Sequence, residues 1–151
     1  MRLTVAAVGR WKGDPARAVY ETYAARSPWP LTLREVVARR PGGGAEVQAE
    51  EAALLDRAVP AGALRVALDA GGRPLDSAGF ADWLGCRQAE GTRDLAFLIG
   101  GADGLEPRLS TGADLRLSLG PMTWPHLLVR ALLAEQLYRA QSILAGHPYH
   151  R

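Results

Sequence analysis

Short apolar runs separated by helix-length segments are the feature that most constrains what this chain can fold into. Leu3-Thr-Val-Ala-Ala-Val8 is closed by Gly9 and reads as a buried strand. Asp14-Pro15 then supplies an N-cap and a first-turn proline for a helix to about Arg26, broken by Ser27-Pro-Trp-Pro30. Leu31–Val37 alternates in part and predicts a second strand. Pro41-Gly-Gly-Gly44 is a flexible loop, and Ala45–Ala58 is an Ala/Glu-rich helix stopped by Pro60–Gly62. Leu64–Asp69, Leu95–Ile99 and Leu115–Leu119 predict three further strands, with a turn at Ala70–Pro74 and a helix from the Asp76-Ser77 cap through Gln88. The longest helix pattern runs from Pro125 to about Leu144, stopped by Gly146 and Pro148. Strands alternating with helices predict an α/β fold, a mostly parallel sheet with helices on both faces. A length of 151 residues fits one domain, 1–151.

Composition removes several classes of function. No apolar run approaches the roughly 18 residues of a membrane span, so no membrane association is expected. Cys86 is the only cysteine, which leaves no disulfide framework and no Cys-rich zinc site, and fits a reducing, cytoplasmic setting. The sole lysine, Lys12, follows Trp11, so a Gly-Lys-Ser/Thr phosphate loop is absent, and no Gly-x-Ser-x-Gly elbow occurs. The net charge is only +2, but it is uneven. Residues 1–115 sum to −1, while 116–151 hold Arg116, Arg130, Arg139 and Arg151 against Glu135 alone, with His126, His147 and His150 among them. A basic C-terminal quarter on a near-neutral body is a lead toward nucleic acid.

In a parallel sheet, ligands sit beyond the C-terminal strand ends. Three loops occupy that position: Asp69–Pro74, Gly100–Gly104 and Gly120–Trp124. Gly100-Gly101-Ala-Asp-Gly104 permits close backbone approach, but its spacing is not that of a dinucleotide fold. Met122 and Trp124 can flank a flat ring while exposed backbone groups meet a polar ring edge. On the last helix the apolar positions are wider than one stripe, a width that a second copy of the chain would cover. Glu135 stands four residues before Arg139 and can orient it. The tail Gly146-His-Pro-Tyr-His-Arg151 suits base stacking by Tyr149 and phosphate contact by Arg151. Two histidines without a neighbouring cysteine or carboxylate make a poor metal site, so no metal is expected.

Leu98-Ile-Gly-Gly-Ala-Asp-Gly-Leu105, Leu117-Ser-Leu-Gly-Pro-Met-Thr-Trp-Pro-His126, then Arg130, Glu135-Gln136, Tyr138-Arg139-Ala140 and the ending Pro148-Tyr-His-Arg151 carry a resemblance. Together with Val5–Gly9, Leu68-Asp69 and Gly72, they resemble the bacterial pseudouridine N3-methyltransferases of large-subunit ribosomal RNA, of the SPOUT class. The resemblance covers the whole chain and is most specific in its last third. It implies a C-terminal trefoil knot, a homodimer, and S-adenosyl-L-methionine as methyl donor. By the family pattern the donor's contacts are Leu68, Gly100, Leu119, Gly120, Pro121, Met122, Thr123 and Trp124. The implied substrate is a pseudouridine in helix 69 of 23S ribosomal RNA, within the 70S ribosome or the large subunit. Gly120 stands where the family usually has Ser, and Trp124 where Phe or Leu is common.

The target N3 is an imide nitrogen that keeps its proton at neutral pH, so transfer needs proton removal or stabilisation of the imide anion. Arg139 is the candidate for anion stabilisation, and His150 or His126 for proton acceptance. Arg130, Arg139 and Arg151 are the candidate phosphate contacts. So little charge predicts a protein that needs the shape of a ribosomal site and holds free RNA weakly. A non-catalytic ribosome-binding protein, a transfer-RNA enzyme of the same class and a flavodoxin-like module are the rival readings.

Overall fold

A computed structural model describes residues 1–150. Its elements are β1 (Arg2–Val8), α1 (Ala16–Arg26), β2 (Leu31–Val36), α2 (Ala45–Ala58), β3 (Leu64–Pro74), α3 (Ser77–Ala89), β4 (Asp94–Ile99), α4 (Pro107–Thr111), β5 (Leu115–Ser118) and α5 (His126–Leu144). The five strands form one sheet in the order β2-β1-β4-β3-β5, and every pairing is parallel. The α/β architecture with a parallel sheet matches the sequence expectation.

The central strands read as unbroken apolar runs because both of their faces are covered. Leu3, Val5, Ala7, Leu95, Phe97 and Ile99 face α3 and α5, against Phe80, Leu84, Leu133 and Leu137. Ala6, Val8, Ala96 and Leu98 face the opposite layer, against Ala52, Leu55 and Leu109 of α2 and α4. The small α1 cluster of Ala16 and Tyr20 packs on Ala131 and Ala134 of α5. Much of the wide apolar surface of α5 is taken up within one chain, by the sheet, α1 and α3, while Leu127, Leu128, Leu132 and Ile143 stay partly exposed and Leu144 is 42% exposed. Its width alone does not require a second copy.

Two elements depart from the sequence expectation. β3 runs on through the turn expected at Ala70–Pro74, because its pairing with β5 shifts register between Leu68 and Arg73 and resumes at Arg73 and Pro74. Gly72 makes that possible: a Cβ there would lie 2.7 Å from the Arg116 carbonyl oxygen. The short helix α4 was not expected. Its five residues are too few to show apolar periodicity, and Pro107 at its start reads equally as a loop.

Candidate functional site

With all strands parallel, the loops after β3, β4 and β5 converge at one edge of the sheet. They form an open cleft of about 180 Å³. Leu68, Gly100, Leu119, Gly120, Met122, Thr123 and Trp124 all line it, with Asp69 and His126. Pro121 lies within the same loop. The Gly100–Gly104 turn is closed so tightly that a Cβ on Gly100 would sit 2.4 Å from the Gly104 carbonyl carbon. From α2, the Gln48 side-chain amide donates to the carbonyls of Asp103 at 3.1 Å and Leu105 at 3.2 Å. Asp103 in return accepts from the Gly44 amide at 2.8 Å, at the start of α2. Across the cleft, Ser118 Oγ donates to the Ala70 carbonyl at 3.0 Å and accepts from the Gly120 amide at 3.1 Å. Gly120 has φ +107°, a conformation that favours glycine over the family's usual serine. Met122 is 69% exposed and Trp124 40%, large apolar groups left at the cleft's mouth. Asp69 is held below the usual carboxylate range, first by the Ser110 hydroxyl and then by the Gly71 amide and Arg116.

His126 forms the β1 side of the cleft. Its Nε2 lies 3.0 Å from where a Gly9 Cβ would be, and the Gly9 φ of +96° favours glycine there. Burial, then the nearby Arg130 charge, pulls the His126 pKa below its ordinary 6.5, which keeps the imidazole neutral. Arg130 is not at the surface where phosphate contact was expected. It is fully buried. Its Nη2 donates to the carbonyls of Val8 at 2.6 Å and Gly9 at 2.9 Å, and its Nη1 to Glu35 at 2.9 Å. Glu35 also accepts from the Trp11 amide at 3.1 Å, and the Arg130 guanidinium lies 4.8 Å from the Trp11 ring centroid.

A second cluster lies at the other end of α5. Arg139 donates to Glu135 Oε1 from Nη2 at 2.6 Å and from Nε at 3.0 Å, and its Nη1 lies 3.4 Å from His150 Nδ1. The Tyr149 hydroxyl donates to Glu135 at 3.1 Å, and its ring meets Tyr138 edge-on at 4.8 Å. Burial, with the Tyr23 hydroxyl and Glu135 beside it, pushes the Tyr149 pKa up. Arg26 of α1 stands over the Tyr138 ring at 4.3 Å and donates to its hydroxyl at 3.0 Å. Glu135 orients Arg139 as expected, and Tyr149 and His150 join them; that gathering, with Tyr23 and Arg26 from the far end of the sequence, was not foreseen. Arg151 lies outside the described residues.

The candidate catalytic residues are not all gathered in one place. His126 and Arg139 are separated by thirteen residues of one helix, which is roughly 20 Å of axial rise. The basic C-terminal quarter also loses most of its free charge. Arg116 pairs with Asp69 at 3.0 Å, Arg130 with Glu35, and Arg139 with Glu135. Among the described residues no group of three or more His, Cys, Asp or Glu is placed to hold a metal ion. Among the described residues no helix is long and apolar enough to cross a membrane.

A family model described as predicted SPOUT methyltransferase matches residues 1–150. The chain is 57% identical over 151 residues to the ribosomal RNA large subunit methyltransferase H of Rhodospirillum centenum, covering 100% of this chain and 99% of that one. It is 52% identical to the protein of the same name from Paramagnetospirillum magneticum, with the same coverage. Among solved structures, a probable methylase family protein from Haemophilus influenzae Rd KW20 superposes with a TM-score of 0.60 at 12% identity, over 99% of this chain and 70% of that one. At that identity the likeness concerns the fold.

Proposed function

This chain belongs to the SPOUT methyltransferase family, and on that basis we propose that it methylates large-subunit ribosomal RNA, using S-adenosyl-L-methionine. The finer reading is transfer to N3 of a pseudouridine in helix 69 of 23S RNA, on the 70S ribosome or the large subunit, in the cytoplasm. The observation that carries it is the convergence of Leu68, Gly100 and the Leu119–Trp124 loop on one cleft, the residues that the family pattern assigns to the methyl donor. The relatives' shared name supports ribosomal RNA as the substrate.

The cleft suits the donor. Gly100 and Gly120 bare the backbone for hydrogen bonds to a ring edge, and Met122 and Trp124 offer apolar faces to a flat ring. When bound, S-adenosyl-L-methionine supplies an electrophilic methyl group. The chain's own part is to hold the nucleophile in line and to manage the imide proton. Arg139, fixed by Glu135, stabilises the imide anion. His150, beside Arg139, or His126, neutral at the cleft wall, accepts the proton. Because His126 and Arg139 stand far apart on one helix, one chain does not complete this site. A homodimer that brings the Glu135–Arg139–Tyr149–His150 cluster of one copy to the cleft of the other does. The whole of 1–151 then serves as one methyltransferase domain, and the knot that the family implies shapes the donor's loops.

The test is incubation with labelled S-adenosylmethionine and ribosomes lacking the modification, with the methyl mapped by mass spectrometry. Label on N3 of a helix 69 pseudouridine is expected. Label on protein alone, or on another nucleotide, overturns the finer reading. Naked 23S RNA is expected to be methylated far less than ribosomes.

A further inference from the structure

Among the described residues, the cations left free are not where the sequence places its surplus. Arg2, Arg17, Arg40, Arg65, Arg87, Arg108, Arg116, Arg130 and Arg139 each pair with a carboxylate. Arg10, Lys12 and Arg39, like Arg26, Arg34, Arg57, Arg73 and Arg93, have no carboxylate within pairing distance among the described residues, and all are exposed. Arg10 and Lys12 follow β1, and Arg39 follows β2. In a parallel sheet both loops lie at the same edge as the cleft. β1 is hydrogen-bonded to β4, whose end carries Gly100, so the cations continue the line of the cleft outward at the strand spacing of about 4.8 Å.

The turn that carries Arg10 and Lys12 is built rather than loose. Lys12, at φ +25°, is the only described residue other than glycine with positive φ. The Asp14 amide closes the turn on the Trp11 carbonyl at 2.6 Å. Beneath it, the buried Arg130 holds the Val8 and Gly9 carbonyls, and Trp11 is buried against that guanidinium. The neighbouring acids are already engaged: Glu35 accepts from Trp11 and Arg130, and Asp14 caps α1 by accepting from the Ala16 amide at 2.8 Å. A strained, well-supported turn that carries two unneutralised cations and starts at Gly9, beside His126, is a feature of binding sites rather than of solvated loops.

We propose that the Gly9–Gly13 turn is a phosphate-binding edge of the substrate site, where Arg10 and Lys12, extended by Arg39, receive the sugar-phosphate backbone of RNA flanking the target base. This rests on the reading of the chain as an RNA methyltransferase. The contact is sequence-independent and positions the strand, leaving recognition of the base to the cleft.

The test compares the protein with an Arg10→Ala/Lys12→Ala variant, binding to unmodified large subunits by sedimentation from 50 to 300 mM NaCl, roughly the range over which phosphate contacts are titrated. Losing two phosphate contacts is expected to lower the slope of log affinity against log salt by about 1.5–2, and to weaken binding about tenfold or more at low salt. S-adenosylmethionine binding by calorimetry is expected to stay unchanged. Arg10→Lys/Lys12→Arg is expected to restore the slope. Arg57→Ala/Arg93→Ala, which removes two exposed cations at the opposite edge of the sheet, is expected to leave it alone. An unchanged slope in the first variant, or an equal loss in the last, overturns the proposal even if methylation of ribosomes proceeds. Wild-type protein that binds large subunits with a salt slope that the first variant lowers, but transfers no methyl, supports the surface and sinks the methyltransferase reading. Wild-type protein that does not bind large subunits overturns both.

Discussion

Arg130 keeps a guanidinium where water does not reach, and three acceptors make that tolerable: Glu35 and the carbonyls of Val8 and Gly9. Removing one partner of a buried pair leaves the other charge or carbonyl unsatisfied, at a cost of about 3–5 kcal/mol. Glu35 keeps some contact with water, which points to the lower end. Arg130→Met is therefore expected to lower the melting temperature by roughly 10 °C, measured by calorimetry; a change of a degree or two would show that the pair does not hold the turn. This role was not legible in the sequence, because Glu35 is 95 residues away and the other acceptors are backbone. Gly100 was legible, since a glycine pair after a buried strand has few readings, and its cost is now specific: Gly100→Ala forces apart a turn with no room for a methyl group. At least a tenfold loss of S-adenosylmethionine affinity is expected in calorimetry. His126 adds a pH dependence. Its folded pKa lies below the ordinary 6.5, so the folded state binds fewer protons than the unfolded one on the acid side. Its contribution to stability is complete above about pH 6.5 and is lost as pH falls toward the folded value. Melting temperatures measured between pH 7.5 and 5 are expected to fall less steeply in His126→Gln than in the parent.

Helix α5 ends in a way that fixes where the tail goes. The Gly146 amide donates to the Ile143 carbonyl at 3.0 Å and the His147 amide to the Ser142 carbonyl at 2.8 Å, the paired bonds of a Schellman cap, with Gly146 at φ +65°. The chain is turned back over α5, which lets Tyr149 reach Tyr138 and Glu135. Gly146→Ala keeps every side chain of that cluster and strains only the turn. It is expected to cost about 1 kcal/mol, or a few degrees in melting temperature, and to depress methyl transfer more than that loss of stability explains. Activity falling only in proportion to folded protein would show that the tail's position is unimportant. At this scale the sequence was read best where periodicity was long. The α2 boundaries, Ala45–Ala58, were set by the glycine loop before the helix and Pro60 after it. α4 has only five residues, and the β3 extension depends on a register shift against β5, a pairing that no local pattern encodes.

For the molecule as a whole, the parallel sheet gathers the proposed donor cleft at one edge while α5 carries the Arg139 cluster toward the other. The sequence pointed to a dimer from the breadth of α5's apolar surface, but much of that surface is spent on the sheet, α1 and α3. The stronger argument for a second copy is the separation of the two halves of the proposed site. It predicts more than a sedimentation mass of twice 16.2 kDa. In a two-fold dimer each site draws its cleft from one copy and its Arg139 cluster from the other, so one defect of each kind can be segregated. Gly100→Ala and Arg139→Ala are each expected to be nearly inactive alone. Mixed and allowed to exchange subunits, half of the dimers carry both variants. In those, one site inherits both lesions and the other inherits none, so about a quarter of the wild-type rate is expected to return. A mixture as inactive as its components, with subunit exchange verified by native mass spectrometry, would place the whole site within one chain. The tail would then have to swing along α5 to reach the cleft.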